Sequence, residues 1–283
     1  MKLRLLKLKQ RKFKDYPILI DDEVQSQTLK FWSTDSEAEY NKNNKPGWEY
    51  ENSEDLVYNF NEWGYRTKNI NDLDKDFALV FGCSYTEGVG LYQKDIWCEK
   101  LCKELGIDVF NLAKHGSGSD ICYNNTILYV KNLIKHKPKL VIYQWPQAFR
   151  RSFAHTLRLP TFKKSFHSQL NFINFKVNSD ISNKDSRWYK TRWLKEYGEV
   201  YKDTFFNFYS VDTLWKALDV PVYHWTWSGD FESGNKPFGF IEKDSLKIIH
   251  NKSNDKARDN GHDGKQIHSD VVDFLIDDIR KLL

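Results

Sequence analysis

The sequence predicts an α/β fold: a central parallel sheet with helices on both faces, giving three α/β/α layers. Three observations lead there. Short continuous apolar runs recur from residue 77 onward, as in strands buried on both faces. Amphipathic stretches of helical period separate them, and repeated strand–helix–strand units pair their strands in parallel. Glycine-rich turns directly follow the first two runs, at the strand ends where such sheets hold ligands.

Residues 1–75 read as an irregular, polar N-terminal extension, and 76–283 as the α/β/α domain with an insertion at about 148–199. At the start, Leu3, Leu5, Leu6 and Leu8 interleave with Lys2, Arg4, Lys7 and Lys9. That pattern suits a short strand with one solvated basic face; a membrane-surface or nucleic-acid arm is the alternative. Lys42–Gly47 is a turn signal and Asn71–Asp76 a loop. Phe77–Gly82 is the first buried strand. Residues 95–105 form a helix with Ile96, Trp97, Leu101 and Leu105 on one side, ended by Gly106. Ile107–Leu112 is the second strand. Residues 119–135 form a helix with Ile121, Ile127, Val130 and Ile134 inward. Leu140–Trp145 is the third strand, 200–218 the crossover helix, and Val220–Thr226 the fourth strand. A last helix covers 265–282, with Ile267, Val271, Phe274, Leu275 and Leu282 inward.

Composition bounds the function. The chain has 283 residues, 43 Lys+Arg against 39 Asp+Glu, and a net charge of +4, too small an excess to call for nucleic acid. Aromatic residues make up 16% of it, which excludes a disordered chain. Mean hydropathy is −0.68 and no apolar run approaches a membrane span. The basic start lacks the apolar core and cleavage site of a secretory signal. The four cysteines, Cys83, Cys98, Cys102 and Cys122, have neither zinc nor disulfide-framework spacing and read as reduced thiols of a cytoplasmic protein. No metal motif and no cofactor fingerprint is present.

Chemistry concentrates at the strand ends. Gly82-Cys83-Ser84-Tyr85-Thr86-Glu87-Gly88-Val89-Gly90 puts a serine at a strand-to-helix turn, where backbone N–H groups converge on a developing oxyanion. It is neither a P-loop nor a dinucleotide-binding turn. After the second strand, Asn111–Asp120 contains Gly116 and Gly118 and supplies further N–H donors. Just before the last helix stands Arg258-Asp259-Asn260-Gly261-His262-Asp263-Gly264. Asp259 and His262 share one turn, so a carboxylate can orient an imidazole that activates a serine hydroxyl. The alternative roles are ordinary ones: a helix-capping hydroxyl for Ser84 and a surface loop for His262.

These three segments, in this order, resemble the motifs of the SGNH (GDSL-like) hydrolases. Gly82–Gly88 resembles the nucleophile motif, Asn111–Gly116 the second motif, and Asp259-Asn260-Gly261-His262 the terminal DxxH. Trp97 is spaced as in that family, and Asn61-Glu62-Trp63-Gly64-Tyr65-Arg66 looks like a segment preceding such domains in glycan-acting members. The resemblance covers roughly 60–145 and 220–283. It implies the flavodoxin-like sheet and a Ser84–His262–Asp259 triad, with an oxyanion held by the N–H groups of Ser84 and Gly116. Two positions depart from the pattern: Cys83 stands where the family has Asp. Gln144-Trp145-Pro146-Gln147 replaces the usual Gly-x-Asn-Asp, leaving Gln144 or Gln147 as the third oxyanion donor.

The expected function is therefore a serine esterase acting on a small-molecule or glycan ester, an O-acyl or O-acetyl group on a carbohydrate. Candidate substrate contacts are His115, Trp145, Arg150 and His268, with His268 also a rival base. Arg150 suits an anionic group. Trp188, Trp193, Trp225 and Trp227 are further aromatic faces for a sugar. Two other readings use the same fold: an O-acyltransferase with the same triad, and a non-catalytic binding or virion protein.

Overall fold

The computed structural model describes residues 17–21, 23–148, 150–155, 171–175, 197–227, 247–249 and 254–283, with backbone alone at 151–155, 171–175, 197–201 and 248. The basic start, most of the insertion, Trp188 and Trp193 lie outside them.

In chain order the elements are β1 (Thr28–Leu29), α1 (Glu37–Asn43), β2 (Tyr58–Asn59), β3 (Phe77–Phe81), α2 (Ser84–Glu87), α3 (Trp97–Leu105), β4 (Asp108–Asn111), α4 (Ser119–Leu133), β5 (Leu140–Trp145), β6 (Arg151–His155), β7 (Asn171–Phe175), α5 (Tyr197–Ala217), β8 (Val222–Thr226), β9 (Lys247–Ile248) and α6 (Lys265–Arg280). One parallel sheet runs in the order β4-β3-β5-β8-β9. Its register pairs Val80 with Asn111, Phe81 with Tyr143 and Trp145 with Thr226. The chain thus starts in the middle of the sheet, turns one way to β4 and the other way to β5, and leaves a crevice at that switch point.

Strand alternation sorts the core into two halves. Phe77, Leu79, Phe81, Val141, Tyr143 and Trp145 face one side, packing with Tyr129 of α4 and Phe208, Val211 and Trp215 of α5. Ala78, Val80, Leu140 and Ile142 face the other, with Trp97 and Leu101 of α3 and Val272, Leu275 and Ile279 of α6. Both faces are covered, which is why the strands read as unbroken apolar runs.

Three inward assignments change. Ile127 is exposed, because the buried arc of α4 runs through Ile121, Cys122, Asn125, Thr126, Tyr129 and Leu133 on the opposite side. Phe274 is exposed outside the arc of Ile267, His268, Val271, Val272, Leu275 and Ile279, where the Lys247 ammonium sits 4.7 Å from its ring centre. Leu282 lies past the end of α6 and is exposed.

The segment before β3 is more ordered than its polarity suggests. Val24, Tyr50, Leu56, Tyr58 and Phe60 form a small core that takes in Leu91 and Ala257 from the α/β part. Arg66, buried, donates to the carbonyls of Gly88 at 2.6 Å and Leu91 at 2.7 Å. Lys114 pairs with Asp21. Contacts between the two parts reach the loops at the carboxyl ends of the strands and also follow β4, where Lys68 pairs with Asp108 and Thr67 Oγ1 donates to the Val109 carbonyl at 3.2 Å.

Candidate active site

The loop after β3 is braced from below. Cys83 caps α2 by position, with no side-chain cap, and Ser84 is the first helical residue. The helix-capping role therefore does not apply to Ser84. Among the described residues its hydroxyl makes no hydrogen bond, to His262 or to any other group. Gln144 lies beneath. Its amide oxygen accepts from the Cys83 N–H at 3.1 Å, the Cys83 thiol at 3.3 Å and the Thr86 hydroxyl at 3.1 Å. Its amide nitrogen donates to the Trp145 carbonyl at 2.9 Å. Gln144 is 0% exposed, so it is a brace of the loop and not an open oxyanion donor. Trp97 Nε1 donates to Thr86 Oγ1 at 3.2 Å, and Asn111 Nδ2 donates to the Thr86 carbonyl at 2.6 Å, completing the support.

The second loop is tied to the first. Ser117 Oγ donates to the Gly82 carbonyl at 2.8 Å, and the Lys114 N–H to the same oxygen at 3.3 Å. Gly116 has φ +69°, a left-handed conformation that favours glycine, and is half-buried. Neither its N–H nor that of Ser84 has an acceptor among the described residues. His115 is half-buried beside Gly116. Its N–H donates to the Glu87 carboxylate at 2.6 Å and its Nδ1 lies 3.2 Å from the same oxygen. Trp32 Nε1 donates to the other Glu87 oxygen at 3.0 Å, with the Trp32 ring edge-on to His115.

On the C-terminal loop, His262 Nδ1 stands 2.6 Å from Asp259 Oδ2. The carboxylate only accepts, so Nδ1 carries the proton, which leaves the lone pair of a neutral ring on Nε2. Asp259 Oδ1 accepts the N–H groups of Gly261 at 3.1 Å and His262 at 3.0 Å, and Thr34 Oγ1 donates to Oδ2 at 2.6 Å. Burial raises the Asp259 pKa, but the hydrogen bonds and charge of His262, with the bond from Thr34, outweigh it and hold the carboxyl at about 2. Tyr85, next to Ser84, sets its ring edge-on to His262 with centroids 5.9 Å apart and donates to Asp263 at 2.5 Å. That contact puts the DxxH loop beside the Ser84 loop.

Two substrate candidates are withdrawn. Trp145 is 0% exposed; its Nε1 donates to His224 at 3.1 Å and its ring stacks on Tyr143 in the core. His268 is 2% exposed and accepts the Trp97 N–H at 3.0 Å, and burial pushes its pKa down to about 3. A neutral, enclosed imidazole neither reaches a substrate nor serves as the rival base. Gln147 remains, half-buried, with its amide oxygen on Arg150 Nε at 3.1 Å. Arg150 is 6% exposed, and its Nη1 has no partner among the described residues.

Sequence reasoning missed Thr34, Trp32, Glu87 and the buried pair Asp35–Arg258. Glu87 lies within the nucleophile motif, and a carboxylate among buried positions was the one available signal. Thr34 gave none, being 225 residues from its partner. Among the described residues no group of His, Cys, Asp and Glu is placed to hold a metal, and no helix is long and apolar enough to cross a membrane.

No known family and no curated protein matches the chain by sequence. Solved structures similar to it include the psychrotrophic esterase EstA from Pseudoalteromonas sp., at 13% identity and a TM-score of 0.41, covering 74% of this chain and 98% of that one. The acetyl xylan esterase Est2A from Butyrivibrio proteoclasticus is 13% identical with a TM-score of 0.39, over 74% of this chain and 64% of that one. An acylhydrolase from Bacteroides fragilis, described as putative, is 14% identical with a TM-score of 0.37, over 75% and 92%. The likeness is one of general fold.

Proposed function

We propose that this protein is a serine esterase of the SGNH type that removes an O-acyl group, an acetyl ester on a carbohydrate being the favoured substrate. The observation that carries the reading is the Asp259–His262 pair at 2.6 Å, fixed in the tautomer that leaves Nε2 as base, on the loop next to Ser84. In the proposed reaction Ser84 Oγ attacks the acyl carbonyl and its proton passes to His262 Nε2. The tetrahedral oxyanion takes hydrogen bonds from the N–H groups of Ser84 and Gly116, with the Gln147 amide as third donor. Collapse expels the sugar alkoxide, which takes the proton from His262. Water, deprotonated by His262, then releases the acyl group from Ser84. Asp259 stays ionised and holds the imidazole throughout.

The Nη1 of buried Arg150, without a partner among the described residues, favours a substrate that carries an anion, since a buried guanidinium is ordinarily paired. His115, held on Glu87 beside Gly116, fits a contact to the departing sugar.

The test is hydrolysis of a fluorogenic acetyl ester by the wild type and by Ser84→Ala. The expected loss is at least about a thousandfold in kcat. Equal background turnover by both proteins rejects the reading and leaves a binding protein on the same fold. An added sugar acceptor that captured the acyl group in place of water would make it a transferase. For Arg150, the expected outcome is that Arg150→Gln raises KM for a uronate-bearing acetyl ester about tenfold and leaves its neutral counterpart unchanged.

A further inference from the structure

The Asp259 carboxylate has four acceptor sites and all are filled. Three donors come from its own turn: Gly261 N–H, His262 N–H and His262 Nδ1. The fourth, the Thr34 hydroxyl, comes from the segment before the α/β domain and lies 2.6 Å from Oδ2 and 3.5 Å from His262 Nδ1. We propose that Thr34 is a positioning residue of the candidate active site: it fixes the Asp259 carboxylate, and through it the His262 ring, so that the N-terminal segment completes the catalytic machinery. The inference rests on the esterase reading for its catalytic part.

The turn carrying Thr34 is built to hold it there. Trp32 and Asp35 exchange backbone hydrogen bonds, Trp32 N–H to the Asp35 carbonyl at 2.8 Å and Asp35 N–H to the Trp32 carbonyl at 3.1 Å. Between them Ser33 takes φ +58°, an uncommon conformation for a residue with a side chain. The two backbone bonds close the turn around Ser33, and contacts from Asp35 and Trp32 fix its position on the rest of the chain. Asp35, fully buried, grips Arg258, with Nε at 3.0 Å from Oδ1 and Nη2 at 2.6 Å from Oδ2. Arg258 is the residue before Asp259. Tyr58 Oη donates to Asp35 at 2.5 Å and accepts the Gly90 N–H at 2.7 Å, and the Arg258 N–H donates to the Gly90 carbonyl at 3.0 Å. On its other side the turn is tied by Trp32 to Glu87, at the end of the nucleophile helix. Thr34 itself is exposed, so no packing demand accounts for its place.

The groups facing the pair are Asp259 and Thr34, Tyr85 and Asp263 with Lys256 at 3.3 Å, His268 behind Tyr85, and the Asp35–Arg258 ion pair. Of these, Thr34 is the one uncharged donor on the carboxylate from outside the DxxH turn.

Thr34→Val keeps the shape and removes the donor; Thr34→Ser keeps the donor. The first measurement is the downfield proton resonance of His262 Nδ1–H, assigned by its loss in His262→Gln. It is expected to move in Thr34→Val and return in Thr34→Ser. The second is acetyl-ester hydrolysis, with kcat expected to fall about tenfold in Thr34→Val, KM to hold within about twofold, and Thr34→Ser to recover the rate. A resonance that stays in place in Thr34→Val, or one that moves while kcat is unchanged, overturns the proposal. Should the wild type show no Ser84-dependent turnover, the esterase reading fails, and the resonance alone decides whether Thr34 positions the pair.

Discussion

Asp259 shows how one side chain ties chemistry to stability. Its carboxyl is held at about 2, against an ordinary value near 4, so the folded state binds its proton less readily than the unfolded chain. A depressed carboxyl adds stability that is full above the unfolded value and is lost as the pH falls through the folded one. The window is therefore about pH 4 to 2, and the contribution about 2 kcal/mol. Urea unfolding at pH 5 and pH 2 checks this: the stability gap between wild type and Asp259→Asn is expected to shrink by about that amount. Arg258 is a different case. Its guanidinium and the Asp35 carboxylate are both buried, and removing one leaves the other charged without a partner. Arg258→Leu is expected to cost about 3–5 kcal/mol, read as a lower urea midpoint with the slope unchanged.

At the scale of elements, β5 divides its labour by strand parity. Tyr143 and Trp145 point into the core shared with α4 and α5, while Gln144 reaches the loop after β3. Position along the strand made Trp145 look like a site residue, because it ends the strand at the carboxyl edge. Its ring packs against both Tyr143 and His224, with centroids at 5.2 Å and 5.9 Å, in a buried three-ring cluster, and so is structural. Trp145→Ala is expected to cost about 3–5 kcal/mol in thermal or urea unfolding and to leave KM for an acetyl ester unchanged. Strands β3, β4, β5 and β8 were legible because burial on both faces demands unbroken apolar runs. The two-residue β9 was not, since a pair of residues has no period to read. Phe274 and Ile127 were misassigned for a related reason: hydrophobicity alone does not define the centre of a helical face, and both lie off the arc that the sheet covers.

For the whole molecule, the segment before β3 braces both loops of the candidate site. It shares a small core with Leu91 and Ala257, sends Arg66 to the carbonyls of Gly88 and Leu91 after the Ser84 loop and supplies Asp35 and Thr34 to the DxxH loop. A chain starting at residue 76 is expected to lose Ser84-dependent hydrolysis and to bind a hydrophobic dye, because Leu91 and Ala257 lose their cover. Soluble, active protein from that truncation would contradict the shared interface. This dependence was hidden because the segment is polar and irregular, and its partners on the DxxH loop lie 223 and 225 residues away in the chain.

The sequence alone determined the α/β class, the glycine-bearing turns at the strand ends and the pairing of Asp259 with His262. Those rest on local quantities: apolar periodicity, glycine at turns, and two residues three apart on one loop. Tertiary structure decided which polar groups are open and which are braces. Gln144 and His268 are chemically fit for a site, yet enclosure takes the first as a scaffold and keeps the second neutral. Thr34 has no sequence signature at all, and reaches Asp259 because a buried ion pair closes a 223-residue separation between Asp35 and Arg258. Burial and long-range contact are properties of the assembled chain, and they separate a residue that looks catalytic from one positioned to take part.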